Sequence, residues 1–237
     1  MPGSELKAGA RKFIIDNLPK VLIISMIYVI LTTVVAWFAV RLPGSLSIED
    51  IYERLASGEI PSLNIIYTNF KPVGIFLALL MLMLQPLLDV GFMSYCLKLN
   101  RSQKTDFKDL FNGLILFIKV ISIFLITTLY ILLWSLLLII PGIVAAYRYR
   151  QSYYILLDDP KKSALQCISE SCIVMNGKKA DLFIIDISFM GWFALDMLVF
   201  FLIPLPISFP FVSIWLSPYL GLTRVAFYED AVSSVAV

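Results

Sequence analysis

The chain has 237 residues, of which 59 % are hydrophobic and 15 % charged, with a formal net charge of +2 and no histidine. Soluble domains carry about 25 % charged residues, and here the deficit accompanies several apolar runs of spanning length, which excludes an ordinary soluble domain and marks a polytopic membrane protein. The small net charge gives no support for nucleic-acid binding, and the lack of histidine removes the commonest metal ligand and general base.

Ser4 can cap a first helix, with Glu5 in its first turn. Leu6, Ala10, Phe13 and Asn17 share one side, with Ile14 and Leu18 beside it and Lys7, Arg11 and Lys12 elsewhere. Residues 4–18 therefore read as a short amphipathic helix in the interface of an anionic leaflet, against the plainer reading of a solvated tail. Lys20 opens a first span over Val21–Val40, with Trp37 and Arg41 at its far end. No small-residue cleavage site follows, so the run is expected to be a retained anchor rather than a signal peptide. Residues 44–71 form an outer loop with a short helix over Ile48–Ala56 that carries Glu49, Asp50 and Glu53. The second span, Pro72–Leu97, is kinked at Pro86 and places Asp89 toward its cytoplasmic end. Lys98, Arg101, Lys104 and Lys108 then give the clearest positive-inside signal.

Thr105 is expected to cap the next helix, with Asp106 and Asp109 in its first turn, and that helix runs past Gly113 into a third span ending at Ile140. Pro141 lacks an amide hydrogen and Gly142 permits a turn, so the chain doubles back as a membrane hairpin into a fourth span, Ile143–Leu157; one long kinked helix is the alternative. Asp159 caps a further helix with Pro160 at its first position, Leu165, Ile168, Cys172 and Met175 line one face, and Asn176-Gly177 ends it before Lys178 and Lys179. The fifth span, Ala180–Ile203, contains Asp186 and Asp196. Pro204 and Pro206 turn the chain into a sixth, Ile207–Tyr228, which contains Pro210, Pro218 and Gly221, with Arg224 near its cytoplasmic end. The fold class is all-α: one transmembrane domain over residues 1–237, a bundle of about six spans with cytoplasmic N and C termini and short amphipathic interfacial helices. Amphipathic helices starting near Ser4, Thr105 and Asp159 each lead into a two-span hairpin, a repeat of pattern that chance similarity explains equally well.

The run LLWSLLLIIPG from Leu132 to Gly142, the segment Tyr147–Tyr154 and the following Ile155-Leu156-Leu157-Asp158-Asp159-Pro160 resemble the core signature of DUF975, a family of bacterial integral-membrane proteins of unknown function. The likeness continues in Asn176-Gly177-Lys178-Lys179, in DISFMGW from Asp186 to Trp192, in WLSPYLGLTRVAFYED from Trp215 to Asp230, in the proline and glycine opening the second span and in Asp109-Leu110-Phe111, so it extends over nearly the whole chain. The family often has a small polar residue where Arg148 stands and a histidine near Lys178. The resemblance implies a multi-pass helical protein of the bacterial cell membrane, with about six spans and no established catalytic residues.

The intramembrane charges are Asp89, Arg148, Arg150, Asp186, Asp196 and Arg224. Arg148 lies about 9 Å below the outer turn and Asp196 at a similar depth, from the rise per residue; the expected pairs are Arg148 with Asp196, and Arg224 with Asp186 or Asp89. Unpaired charge in lipid is costly, so these side chains should face the bundle or a polar cavity, with Arg150 either interior or snorkelling. Tyr147, Tyr149, Tyr153 and Tyr154 either line a polar groove or pack at the interface. Cys96, Cys167 and Cys172 form no close ligand pair and read as packing residues in a reducing compartment.

No zinc-protease, phosphate-loop or nucleophile-elbow motif is present. Asp158-Asp159 reads as a helix cap, and Asp186 and Asp196 sit about 15 Å apart along a helix. No catalytic residue, metal site or cofactor is therefore expected. The leading functional reading is a non-catalytic accessory, assembly or immunity-type component acting through membrane partners. The alternative is a small transporter or lipid-handling protein that uses the intramembrane Arg and Asp residues. Expected partners are anionic lipids at the cytoplasmic face, where Lys7, Arg11, Lys12, Lys104, Lys108, Lys161, Lys162, Lys178 and Lys179 would form a basic collar, and a membrane-protein partner or a second copy, but no nucleic acid.

Overall fold

The computed structural model describes residues 3–41, 56–57, 72–202 and 210–235. The outer-loop helix expected over Ile48–Ala56, apart from its last residue, and the turn at Pro204 and Pro206 lie outside these residues. The described chain is helical and contains no strand. Its elements are α1 (Gly3–Asp16), α2 (Leu18–Arg41), α3 (Pro72–Asn100), a 3-10 helix (Phe107–Phe111), α4 (Asn112–Ile115), α5 (Phe117–Leu137), α6 (Ile139–Arg148), α7 (Ser152–Asp158), α8 (Ala164–Val174), α9 (Lys179–Ile187), α10 (Met190–Leu202) and α11 (Phe211–Ser233).

Among the described residues three stretches are long and apolar enough to cross a membrane: Leu18–Ala39, Gly74–Asn100 and Phe117–Leu137. On α5, Ile118 is 77 % exposed and Leu136 87 %. Side chains of this kind displayed continuously along a helix call for a lipid surround rather than water. The chain divides into two compact units, residues 1–29 with 86–237, and residues 30–85. The smaller unit holds the C-terminal part of α2 and the N-terminal part of α3, and within it Trp37 meets Phe38 edge to face at 5.0 Å. The candidate site lies wholly within the larger unit.

Several boundaries shift from the sequence expectations for local reasons. Asp106, not Thr105, caps the 3-10 helix, because its carboxylate accepts from the backbone in a capping box closed by Asp109. Ser163, not Asp159, caps α8: its hydroxyl accepts from the Gln166 backbone amide while Gln166 Oε1 accepts from the Ser163 backbone amide at 2.8 Å. Asp159 instead accepts from the Lys161 amide in the preceding turn. The buried face of α8 is Cys167, Ile168, Ser171 and Val174, and Leu165 is 59 % exposed. The expected continuous rod through Gly113 is broken at Leu116, between α4 and α5. Both Gly91 and Gly113 permit backbone contact there, since a Cβ on Gly113 would lie 1.9 Å from the Leu87 carbonyl oxygen.

The hairpin of α5 and α6 forms, but the chain turns at the extended Leu138, one turn before Pro141. Proline tolerates the first turn of a helix, where its missing N–H has no partner in any case, so Pro141 lies inside α6. Gly142 sets the approach of the two helices: a Cβ there would sit 2.0 Å from Ser135 Oγ. The amphipathic first helix is α1, and its Leu6, Ala10 and Ile14 stripe packs on α11 and α9. Protein therefore covers the face that the sequence assigns to a lipid interface. The fourth and fifth apolar segments are each interrupted, at Tyr149–Gln151 between α6 and α7 and at Ser188–Phe189 between α9 and α10.

Candidate functional site

The first interruption needs polar partners, because a helix break in a buried segment strands backbone groups. Ser171 of α8 supplies them. Its hydroxyl donates to the Arg148 carbonyl at 2.9 Å and accepts from the Gln151 amide at 3.1 Å. Ser171, Gln151 and Ser152 are all buried, and the Ser152 hydroxyl donates to the Tyr149 carbonyl at 2.8 Å. At the second interruption, Lys7 of α1 donates to Ser188 Oγ and lies 4.7 Å over the Phe189 ring.

The first interruption presents Arg150 beside Asp186, the hub of a charge cluster. Arg224 donates to Asp186 Oδ1 from Nη2 at 2.9 Å and from Nε at 3.1 Å. Tyr147 donates its hydroxyl to Oδ2 at 3.2 Å, and Arg150 Nη2 approaches the same oxygen to 3.7 Å. The expected pair of Arg224 with Asp186 is thus formed. The expected pair of Arg148 with Asp196 is not. Arg148 is exposed, and Asp196 accepts from the Val212 amide at 2.9 Å and from the Ser213 hydroxyl. Asp196 therefore caps α11 from a neighbouring helix, where carboxylates are favoured by the free N–H groups and the helix dipole.

Next to the hub lies a cavity of about 460 Å³. Of the sequence candidates, Asp89, Arg150, Arg224, Tyr149, Tyr153 and Tyr154 line it, whereas Arg148, Asp186, Asp196 and Tyr147 do not. Its wall also contains Tyr28, Phe92, Thr127, Ser213 and Ser217, which the sequence reading missed. Tyr28 donates to Asp89 at 2.7 Å and stacks on Phe92 with ring centroids 4.2 Å apart. Volumes of a few hundred Å³ are typical of small-molecule sites. Among the described residues no group of His, Cys, Asp or Glu could hold a metal ion.

A second polar cluster closes one end of the bundle. Arg101, at the end of α3, donates to both oxygens of Asp158 at 2.7 and 3.2 Å and to Glu229 at 2.9 Å. Tyr228 donates to Asp158 at 2.7 Å. The hydrogen bonds to Asp158, and then to Glu229, hold the Arg101 guanidinium above the ordinary arginine range. Lys98 with Asp109, Lys162 with Glu170 and Lys178 with Asp230 add ion pairs at the same end. The Glu170 bond raises the Lys162 ammonium above its usual value. Asp158 thus joins three helices rather than serving only as a cap.

No curated protein and no solved structure matches the chain. One family model does, over residues 135–234, a narrower stretch than the resemblance suggested, which leaves Asp89 and Arg101 outside and takes in Arg150, Asp158, Asp186, Arg224 and Glu229. That model is DUF975, described as a protein of unknown function, and it is the family whose signature the sequence resembles.

Proposed function

We propose that the chain is a multi-pass bacterial cell-membrane protein that holds a small polar or amphipathic ligand in its cavity, as a small transporter or lipid-handling protein without catalytic chemistry. One observation carries this reading: Arg150, in a helix interruption, lines a cavity with Asp89 and Arg224. Non-helical backbone at membrane depth is tolerated only where it is buried in protein or lines a water-filled space. Charged side chains at that depth mark pathways or binding sites, or fix helix register. The alternative accessory role fits the small size, the slight soluble mass and the lack of a cofactor motif, and has no comparable geometric feature among the described residues in its favour.

The reading takes α6 with α7, and α9 with α10, as two interrupted crossings. Residues 139–158 cover about 30 Å as a helical path, enough for a hydrocarbon core. With α2, α3, α5 and α11 this gives six crossings, and the positive-inside signal then puts both termini in the cytoplasm.

Cysteine accessibility tests it. Cys96 and Cys167 are buried and Cys172 is partly exposed, so Cys172→Ser gives a quiet background. A small hydrophilic methanethiosulfonate should modify Ser217→Cys in the cavity wall and leave Val120→Cys, at a fully buried position, unmodified. Equal inertness at both positions would remove the case for a ligand cavity.

A further inference from the structure

We infer that the cavity takes an acidic amphiphile: a phosphate or carboxylate on an apolar body, with the acidic group held by Arg150. This rests on the reading of the cavity as a ligand site and names what it takes. Arg224, Tyr147 and Arg150 all converge on the Asp186 carboxylate, and Arg150 is left without a hydrogen bond to it. Arg224 donates twice to Oδ1, and Tyr147 donates to Oδ2. Arg150 Nη2 comes only to 3.7 Å from Oδ2, beyond hydrogen-bond reach. Its Cζ lies 5.8 Å over the Tyr147 ring, a contact that offers no acceptor oxygen. The Arg150 guanidinium thus makes no hydrogen bond among the described residues, although the residue lines the cavity. A guanidinium presents its N–H groups as a planar fork that matches the paired oxygens of a phosphate or carboxylate. A neutral carbonyl, with a single oxygen and no charge, engages that fork less well.

The rest of the wall decides what the acid is attached to. Phe92, Met93, Ile131, Phe193, Leu216 and Leu220 contribute apolar surface to it. In a site of this make-up a few polar groups orient the ligand and the apolar lining covers its body. An inorganic anion would meet the fork but leave the apolar lining against water. A plain hydrocarbon would cover the lining but leave Arg150 unbonded. A molecule with both parts satisfies both. Asp89 is not asked to bind anything: it accepts from Tyr28 at 2.7 Å and has a further interaction besides. The wall holds its negative charge together with the positive charges of Arg150 and Arg224, so recognition comes from the open fork and not from net charge. An anionic phospholipid and a free single-chain amphiphile share this chemistry.

The test uses the full chain in mild detergent, with binding read by native mass spectrometry and thermal shift. The probes are hexadecyl phosphate against hexadecanol, dioleoyl phosphatidate against dioleoylglycerol, and inorganic phosphate alone. In one pair or both, the phosphate should bind at least about tenfold more tightly than its neutral counterpart, the scale of a charge-assisted hydrogen bond. The neutral compound of each pair controls for uptake by the micelle. Preference in the single-chain pair alone assigns a free amphiphile, and preference in the diacyl pair assigns a membrane phospholipid. Inorganic phosphate should bind more weakly than the preferred amphiphile. Arg150→Gln should abolish the preference, and Arg150→Lys, which keeps the charge but not the fork, should recover only part of it. Neutral compounds that bind as tightly as the phosphates in both pairs overturn the inference. So do inorganic phosphate that matches the amphiphiles, an Arg150→Gln variant with its preference intact, and full recovery in Arg150→Lys. Failure of every probe to bind overturns it as well; if Ser217→Cys still reacts, the cavity reading survives that failure, whereas an inert Ser217→Cys sinks both.

Discussion

Truncating Asp186 should cost more than truncating its main partner. Asp186 is 13 % exposed at its side chain and Arg224 22 %, so screening by solvent is limited. Two unit charges about 4 Å apart at an effective dielectric constant near 20 attract by about 4 kcal/mol, and breaking a buried pair by removing one member costs about 3–5 kcal/mol because the other charge is left uncompensated. The two truncations differ in what remains. Arg224→Met leaves Asp186 with the Tyr147 hydroxyl and with Arg150, whose 3.7 Å approach can close to a hydrogen bond. Asp186→Ala leaves both guanidinium groups with no carboxylate between them. We expect Asp186→Ala near the upper end of that range, Arg224→Met about 1–2 kcal/mol milder, and the double variant less destabilised than the sum of the two. Unfolding of the four proteins in mixed micelles by titration with denaturing detergent gives the cycle. Equal costs for the two single variants would refute the shared-carboxylate account, and so would a coupling energy below about 0.5 kcal/mol.

Ser171→Ala should destabilise the protein by about 1–3 kcal/mol, because it orphans the Arg148 carbonyl and the Gln151 amide together; an unchanged melting temperature in detergent would show that the interruption does not depend on that hydroxyl. Gly113→Ala should cost at least about 1–3 kcal/mol by overpacking against the Leu87 carbonyl, whereas Gly9→Ala, at an exposed interior position of α1 with nothing within 4 Å, should stabilise by about 0.5–1 kcal/mol. Single cysteines at Lys12, Lys108 and Lys161, all exposed, should resist a membrane-impermeant maleimide in intact cells and react in inverted vesicles. Labelling from outside would reverse the proposed orientation.

The long apolar runs of α2, α3 and α5 were legible because length and hydropathy alone decide whether a helix suits a bilayer. That Arg224 pairs with a carboxylate was legible too, but the sequence offered Asp186 or Asp89 equally, and only the fold brings Arg224 to Asp186. The interruptions were not legible. Tyr149, Arg150 and Gln151 include neither glycine nor proline, and neither do Ser188 and Phe189. Both breaks are accompanied by contacts from distant residues: Ser171 at one, Lys7 at the other. Pro141, the strongest local breaker, is absorbed into the first turn of α6. Asp196 misled for a related reason: depth along the chain suited Arg148, but the free N–H groups of α11 lay nearer. Arg101 was read as a topological signal, and its role in joining Asp158 and Glu229 depends on three helix ends that only the fold brings together.

The docking of α1 has a consequence for the order in which the protein is made. Lys7 and Ser188 are separated by 181 positions, and α11, which buries the other part of the α1 stripe, is synthesised later still. At about 5–20 residues per second a ribosome needs on the order of ten seconds or more to cover that distance. Throughout that interval Leu6, Ala10 and Ile14 have no protein to rest on, and the nearest apolar phase is the surface of the bilayer. The amphipathic pattern that reads as a membrane-surface helix therefore suits the nascent chain, and the packed stripe suits the finished one. Emergence of α9 and α11 completes the surface on which α1 rests, so a helix synthesised before them is among the last to reach its final packing.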